Sequence, residues 1–182
     1  MEPMSHETVV HGVDPEASVA ENAPLIIAAR VQDFLQWEPF LRDPSRVAEL
    51  HQMRIAAKRL RYTLEIFAPV IGGVIPTAIE RMKVLQDLLG DIHDLDVAAP
   101  LLLDAARKAM KIGKKAETWQ EADLLSIVGL CGLCRRKQVL RRTLHTRLRS
   151  EWRRFRKEKL IEALCSGAAA PETKGDSNAV VS

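Results

Sequence analysis

A chain of 182 residues that is 47% hydrophobic and only 4% aromatic has enough apolar material for one compact core, with a helical bias in its composition. Three cysteines and no signal-peptide pattern lead to the expectation of a reducing cytoplasm. No apolar run approaches the roughly 20 residues that cross a bilayer, so no membrane role is expected. The net charge of +3 conceals an asymmetry: residues 1–50 hold three Arg against nine acids, whereas residues 135–159 hold twelve Lys or Arg against two acids. A local basic surplus is what an anion-binding surface requires.

Residues 1–22, with Pro3, Gly12, Pro15 and no apolar period, read as a mobile leader. Pro24 suits the first position of a helix, where its missing N–H would be unpaired anyway, and Leu25, Ala28, Val31, Phe34 and Leu35 carry an apolar stripe toward Leu41. Asp43-Pro44 reads as the N-cap and first residue of a second helix, which is expected to stop before Pro69. Gly72-Gly73 and Pro76 mark a turn. A third helix runs from about Thr77 to Leu89 and is stopped by Gly90; a fourth starts at Asp91, where Asp94 and Asp96 would sit favourably at the positive end of its dipole. A last stretch from about Glu117 to Leu164, broken near Gly129 and Gly132, precedes a tail from Ser166 to Ser182 that reads as disordered. The sum is an all-α, antiparallel helical bundle of four or more helices over residues 23–165.

The second helix has two contrasting faces. Met53, Ala56, Ala57, Leu60, Leu64 and Phe67 gather on one side, and His51, Arg54, Lys58 and Arg61 on the other. A solvated helix face normally mixes signs, with Glu one turn before Lys or Arg. From His51 to Tyr62 there is no acid, and Glu65 is the first to follow. Such a row, stepped by about 4.5 to 6 Å, matches the charges of a polyanion better than those of a small anion.

The last helix repeats the design. Leu133, Leu140, Leu144, Leu148 and Phe155 fall on one side, while Arg135, Arg142, His145, Arg149, Arg153 and Arg156 fall within about 80° on another. The two rows are expected to converge on one concave surface. Cys131-Gly-Leu-Cys134 has a redox and zinc spacing, but no second ligand pair and no βαβ context accompany it. His93, Asp94 and Asp96 could hold a metal, yet helix capping explains Asp94 more simply, so no metal or cofactor is expected. There is neither a Gly-rich phosphate loop nor a carboxylate pair on the basic faces, and Arg, Lys and His alone hold phosphates without cleaving them.

The ordered pattern His51-x-x-Arg54-x-x-x-Lys58-Arg59-x-Arg61-Tyr62, followed by Lys83-Val-Leu-Gln86-Asp-Leu-Leu-Gly90-Asp-Ile-His-Asp94, resembles the conserved histidine α-helical domain, the CHAD family. The likeness covers residues 47–103 well and 25–165 loosely. It implies a helical-bundle module that binds inorganic polyphosphate and is sometimes fused to a triphosphate-processing CYTH domain. The family's basic pattern falls on His51, Arg54, Lys58, Arg59, Arg61 and Lys83, and its structural acid on Asp94.

The resemblance implies two repeats around a basic channel, whereas this chain carries one, which leads to the expectation of a homodimer. The function expected is polyphosphate binding without catalysis. Nucleic-acid binding is the alternative, weakened by having only Tyr62, Trp152 and Phe155 among the basic residues for base stacking. An accessory or catalytic role in phosphoanhydride processing is a third reading.

Overall fold

The computed structural model describes residues 10–115 and 121–165. The first helix, α1, spans Val19–Leu35 and starts five residues before Pro24. A capping box sets that start: Ser18 Oγ accepts from the Glu21 amide at 3.3 Å, and the Glu21 carboxylate accepts from the Ser18 amide at 2.8 Å. Asn22 then ties the incoming chain down. Its amide donates to the Asp14 carbonyl at 2.7 Å, and its side-chain oxygen accepts from the Asp14 amide at 2.9 Å. Reciprocal satisfaction of the first-turn donors thus outweighs the preference of Pro24 for the first position, and residues 14–22 are fixed rather than loose.

A 3-10 turn over Glu38–Arg42 follows, with Leu41 buried. Asp43 does not cap the next helix. Its carboxylate accepts from the Ser45 amide and hydroxyl at 2.9 and 2.6 Å, forming a local Asx turn, so α2 begins later and spans Val47–Ile71. Pro69 lies inside its last turn rather than beyond its end. The apolar face expected for this helix is the buried one: Leu50, Met53, Ala57, Leu60 and Leu64 are each at most 3% exposed. Gly72 and Gly73 both take positive φ, 65° and 59°, which glycine adopts without steric penalty, and reverse the chain.

The third and fourth expected helices are one. Helix α3 runs unbroken over Ile75–Lys115, through Gly90 and Pro100. A single glycine lowers helix stability by about 1 kcal/mol but does not stop a helix whose two halves share one buried stripe. Met82, Leu85, Leu89 and Ile92 continue that stripe across Gly90. Helix α4 spans Glu121–Lys157 without a break at Gly129 or Gly132; Lys159, at φ 52°, turns the chain into α5, Leu160–Cys165, which packs on α1.

The helices alternate in direction. Phe34 on α1 meets Trp152 and Phe155 on α4 edge to face, with ring centroids 5.2 and 6.4 Å apart. Arg81 donates twice to Glu158, just past the end of α4, at 2.7 and 2.6 Å, and Arg141 on α4 grips Asp96 with two bonds, so α3 is fastened at both ends of the core. At about 60 and 55 Å, α3 and α4 are longer than α2 at about 37 Å. Beyond Asp96 and Arg141 they continue as a two-helix arm, where Ala106 and Cys134 are the buried side chains among the described residues. Among these residues the fold is all-α, an antiparallel bundle, and no helix is long and apolar enough to cross a membrane.

Candidate anion-binding seam

The basic row of α2 does not look out at bulk solvent alone; it lies along a seam with α3. His51 Nδ1 faces His93 Nδ1 at 3.2 Å, a Cβ on Gly90 would stand 3.7 Å from Arg54 Nε, and Arg61 Nε donates to Gln86 Oε1 at 2.8 Å. The two helices are antiparallel, and the sequence along each carries the same spacing. His51, Arg54, Lys58 and Arg61 step by three, four and three; His93, Gly90, Gln86 and Lys83 step by the same numbers in reverse. His51–His93 and Arg54–Gly90 follow that register, and the long Arg61 side chain reaches back one turn to Gln86.

Exposure grades along the seam. His51, Arg54 and Arg61 are partly buried, and Lys58, Arg59 and Lys83 are exposed. Among the described residues, His51, Arg54, Lys58 and Lys83 make no ion pair with a carboxylate, whereas Arg61 pairs with Glu65 at 2.5 Å. Tyr62 lies beneath the cations rather than among them: its ring sits 4.5 Å from the Arg61 guanidinium and 5.6 Å from the Lys58 ammonium, a cation–π arrangement that holds both heads in place. Burial, then the neighbouring His93 and Arg54, push the His51 imidazole below its ordinary pKa. That is the environment of a site already crowded with positive charge.

Three residues of this seam were legible only in part. The sequence offers His93 as a possible metal ligand and Gly90 as a helix stop, and Gln86 enters only within the family pattern. Their common spacing with the α2 row was the available signal. His93, Asp94 and Asp96 have separate surroundings. His93 meets His51, Asp96 is held by Arg141, and Asp94 shares a hollow of about 340 Å³ with Asp91 and Lys137 between α3 and α4. As none of these acids lies at a helix start, the capping role expected of them is not taken up, and Asp96 is held by Arg141 instead.

The α4 stripe divides. Arg135 and Arg142 are exposed. His145 is 5% exposed, not on an open face, and its Nε2 has no partner among the described residues. Burial, followed by Arg141 and Arg149, lowers its pKa. Arg149 and Arg153 line a cleft with Arg42 from the 3-10 turn, and Arg156 Nε stands 3.9 Å from Glu38. No residue of the α2 row lines that cleft. The expectation that both rows line one concavity is therefore corrected: the 3-10 turn, which helical periodicity cannot place, lies against the second row. Cys131 is exposed and Cys134 buried, both as free thiols.

A family model for the CHAD domain matches residues 9–103, just over half of the chain and inclusive of α1, the 3-10 turn, α2 and the part of α3 that forms the seam. No curated protein matches the chain, and no solved structure does. The ordered residues of the seam, the all-helical fold and the matched span agree, and the chain belongs to the CHAD family.

Proposed function

We propose that the α2–α3 seam binds inorganic polyphosphate and that the protein catalyses no reaction on it. The observation that supports this most directly is a cationic row on α2, held against α3 by the His51–His93 and Arg61–Gln86 contacts, in which Arg54 and Lys58, like the exposed Lys83 on α3, have no carboxylate partner among the described residues. A linear polyanion meets successive cations in such a seam and releases their counterions, with Arg supplying forked contacts and Lys a point charge. Membership of the CHAD family points to the same ligand class. No side chain of the seam combines an acid and a base placed to activate water, which favours holding over cleavage.

Replacing Arg54 and Lys58 together by Ala tests the reading, since both lie off the apolar face. Titration with long-chain polyphosphate is expected to show an affinity loss of at least about tenfold, with the helical circular-dichroism signal unchanged, as two charge-assisted contacts are removed. Wild-type affinity in that double variant would refute it. Nucleic-acid binding is the competing reading. Polyphosphate is expected to displace DNA at matched phosphate concentration, and the reverse order would favour the alternative.

Self-association is part of the same proposal. The arm exposes Leu101, Leu125 and Val128, each more than 60% accessible, and a second copy would cover them. A monomeric mass by light scattering at high micromolar concentration would remove the dimer.

A further inference from the structure

Where the 3-10 turn lies against α4, the surface opens into a cleft of about 740 Å³, within the size range of small-ligand sites. Three guanidinium groups border it, those of Arg42, Arg149 and Arg153, and its apolar walls come from Leu35, Pro39 and Leu41. None of the three arginines makes an ion pair with a carboxylate among the described residues; Arg153 Nε donates only to the Arg149 carbonyl, at 3.2 Å. The one acid in the lining, Glu38, is already engaged, accepting from Trp152 Nε1 at 2.9 Å and standing 3.9 Å from Arg156.

Three unpaired like charges around one hollow repel one another, and a solvated helix face would spread them or pair them with acids. The element that brings Arg42 to Arg149 and Arg153 is held by its own interactions: Leu41 is buried, and Trp152 anchors Glu38. The cleft is thus a built one. Its chemistry is also unlike that of the seam. The seam presents His51, Arg54, Lys58 and Arg61 in a row along one helix, whereas the cleft joins a cluster of guanidiniums to an apolar wall. An inorganic chain of phosphates would satisfy the charges and leave that wall in contact with water. Guanidinium groups fork to phosphate oxygens and also stack on planar rings.

We propose that this cleft binds a small organic polyphosphate, with a nucleoside triphosphate as the ligand class: its phosphates lie among Arg42, Arg149 and Arg153, and its ring system lies against the apolar wall. This site is separate from the seam and does not depend on polyphosphate binding there.

Isothermal titration with ATP and with tripolyphosphate, at one fixed ionic strength, tests it on wild type, Arg42→Ala and the Arg54→Ala/Lys58→Ala double variant. ATP is expected to bind wild type more tightly than tripolyphosphate, because only ATP uses the apolar wall. Arg42→Ala, an exposed position, is expected to weaken ATP by roughly tenfold and to leave long-chain polyphosphate within about twofold; the double variant is expected to do the reverse. Saturable ATP binding lost in Arg42→Ala would uphold the cleft even if wild type failed to bind polyphosphate. No ATP binding, ATP binding indifferent to Arg42→Ala, ATP lost equally in the double variant, or tripolyphosphate binding as tightly as ATP would each overturn it.

Discussion

The Nδ1 atoms of His51 and His93 face each other at 3.2 Å across α2 and α3, with ring centroids 4.4 Å apart. Such a contact is a hydrogen bond only when one nitrogen carries a proton and the other does not; two imidazolium rings would repel. His51 has its pKa lowered, chiefly by burial and then by His93 and Arg54, and His145 is lowered in the same direction, chiefly by burial. A histidine with a depressed folded pKa binds fewer protons folded than unfolded. Its stabilising effect is therefore complete above the unfolded value of about 6.5 and is lost as pH falls through the lower folded value. The melting temperature is expected to fall on acidification below about pH 6.5, and His51→Gln is expected to remove part of that slope. Saturating polyphosphate should oppose it by favouring the charged ring. A melting curve indifferent to pH over this range would contradict the pairing.

Gly90 gives a second test. Its φ is not positive, and an added Cβ would meet Arg54 Nε at 3.7 Å, an ordinary contact. Alanine should therefore be accommodated and should stabilise α3 by about 0.5–1 kcal/mol through helix propensity. Denaturant midpoints measure this. Polyphosphate affinity should stay within about twofold, since the Arg54 head keeps its place; leucine, which would displace that head, should weaken binding. Destabilisation by alanine would mean that the helix needs glycine at this point for another reason.

The α2 residues now in the seam were legible because one helix carries them at a fixed period: Leu60 and Leu64 mark the inner face and Arg54 and Lys58 the outer. The limits of the helices were less legible. Ser18 and Glu21 outweighed Pro24 through two reciprocal hydrogen bonds, Ser45 took the Asp43 carboxylate away from its capping role, and the stripe from Met82 to Ile92 carried α3 through Gly90. What periodicity could not supply is the partner of each face. That His145 lies beneath Leu41, and that Arg149 and Arg153 meet Arg42, follow from the course of the 3-10 turn between two helices.

Asp96 and Arg141 form a two-bond pair between α3 and α4, one bond of 3.0 Å joining Nη2 to Oδ2, with side chains only 11% and 16% exposed. Removing one partner of a pair this sheltered strands the other charge, so Asp96→Ala should destabilise the protein by about 3 kcal/mol. Replacing both residues by leucine should be less damaging than replacing either alone, because no charge is then left unpaired. Urea unfolding provides the comparison. Hydrogen exchange should report the local consequence: amides of the arm beyond residue 97 on α3 should lose protection before those of the core around Met82. An additive double variant would show that the two side chains do not act as a pair.

Glu65 is the acid that pairs with the α2 row. Its carboxylate takes one arm of Arg61 at 2.5 Å while Gln86 takes Nε, and the Glu65 side chain is 39% exposed against 17% for Arg61. An ion pair whose acid is this accessible contributes little to stability, about 0.5 kcal/mol or less. Its effect on a polyanion is larger, because it cancels one positive charge at the end of the seam. Glu65→Gln keeps the shape and removes that cancellation, while Gln86 and the Tyr62 ring still hold Arg61 in position. Polyphosphate affinity is expected to rise roughly two- to fivefold at low salt, and the slope of log affinity against log salt to steepen by up to about one as a further counterion is released. At about 1 M salt, where screening extends over only about 3 Å, the gain should disappear. Unchanged affinity at low salt would place Arg61 outside the binding seam, and a gain that persisted at high salt would mean a contact other than charge.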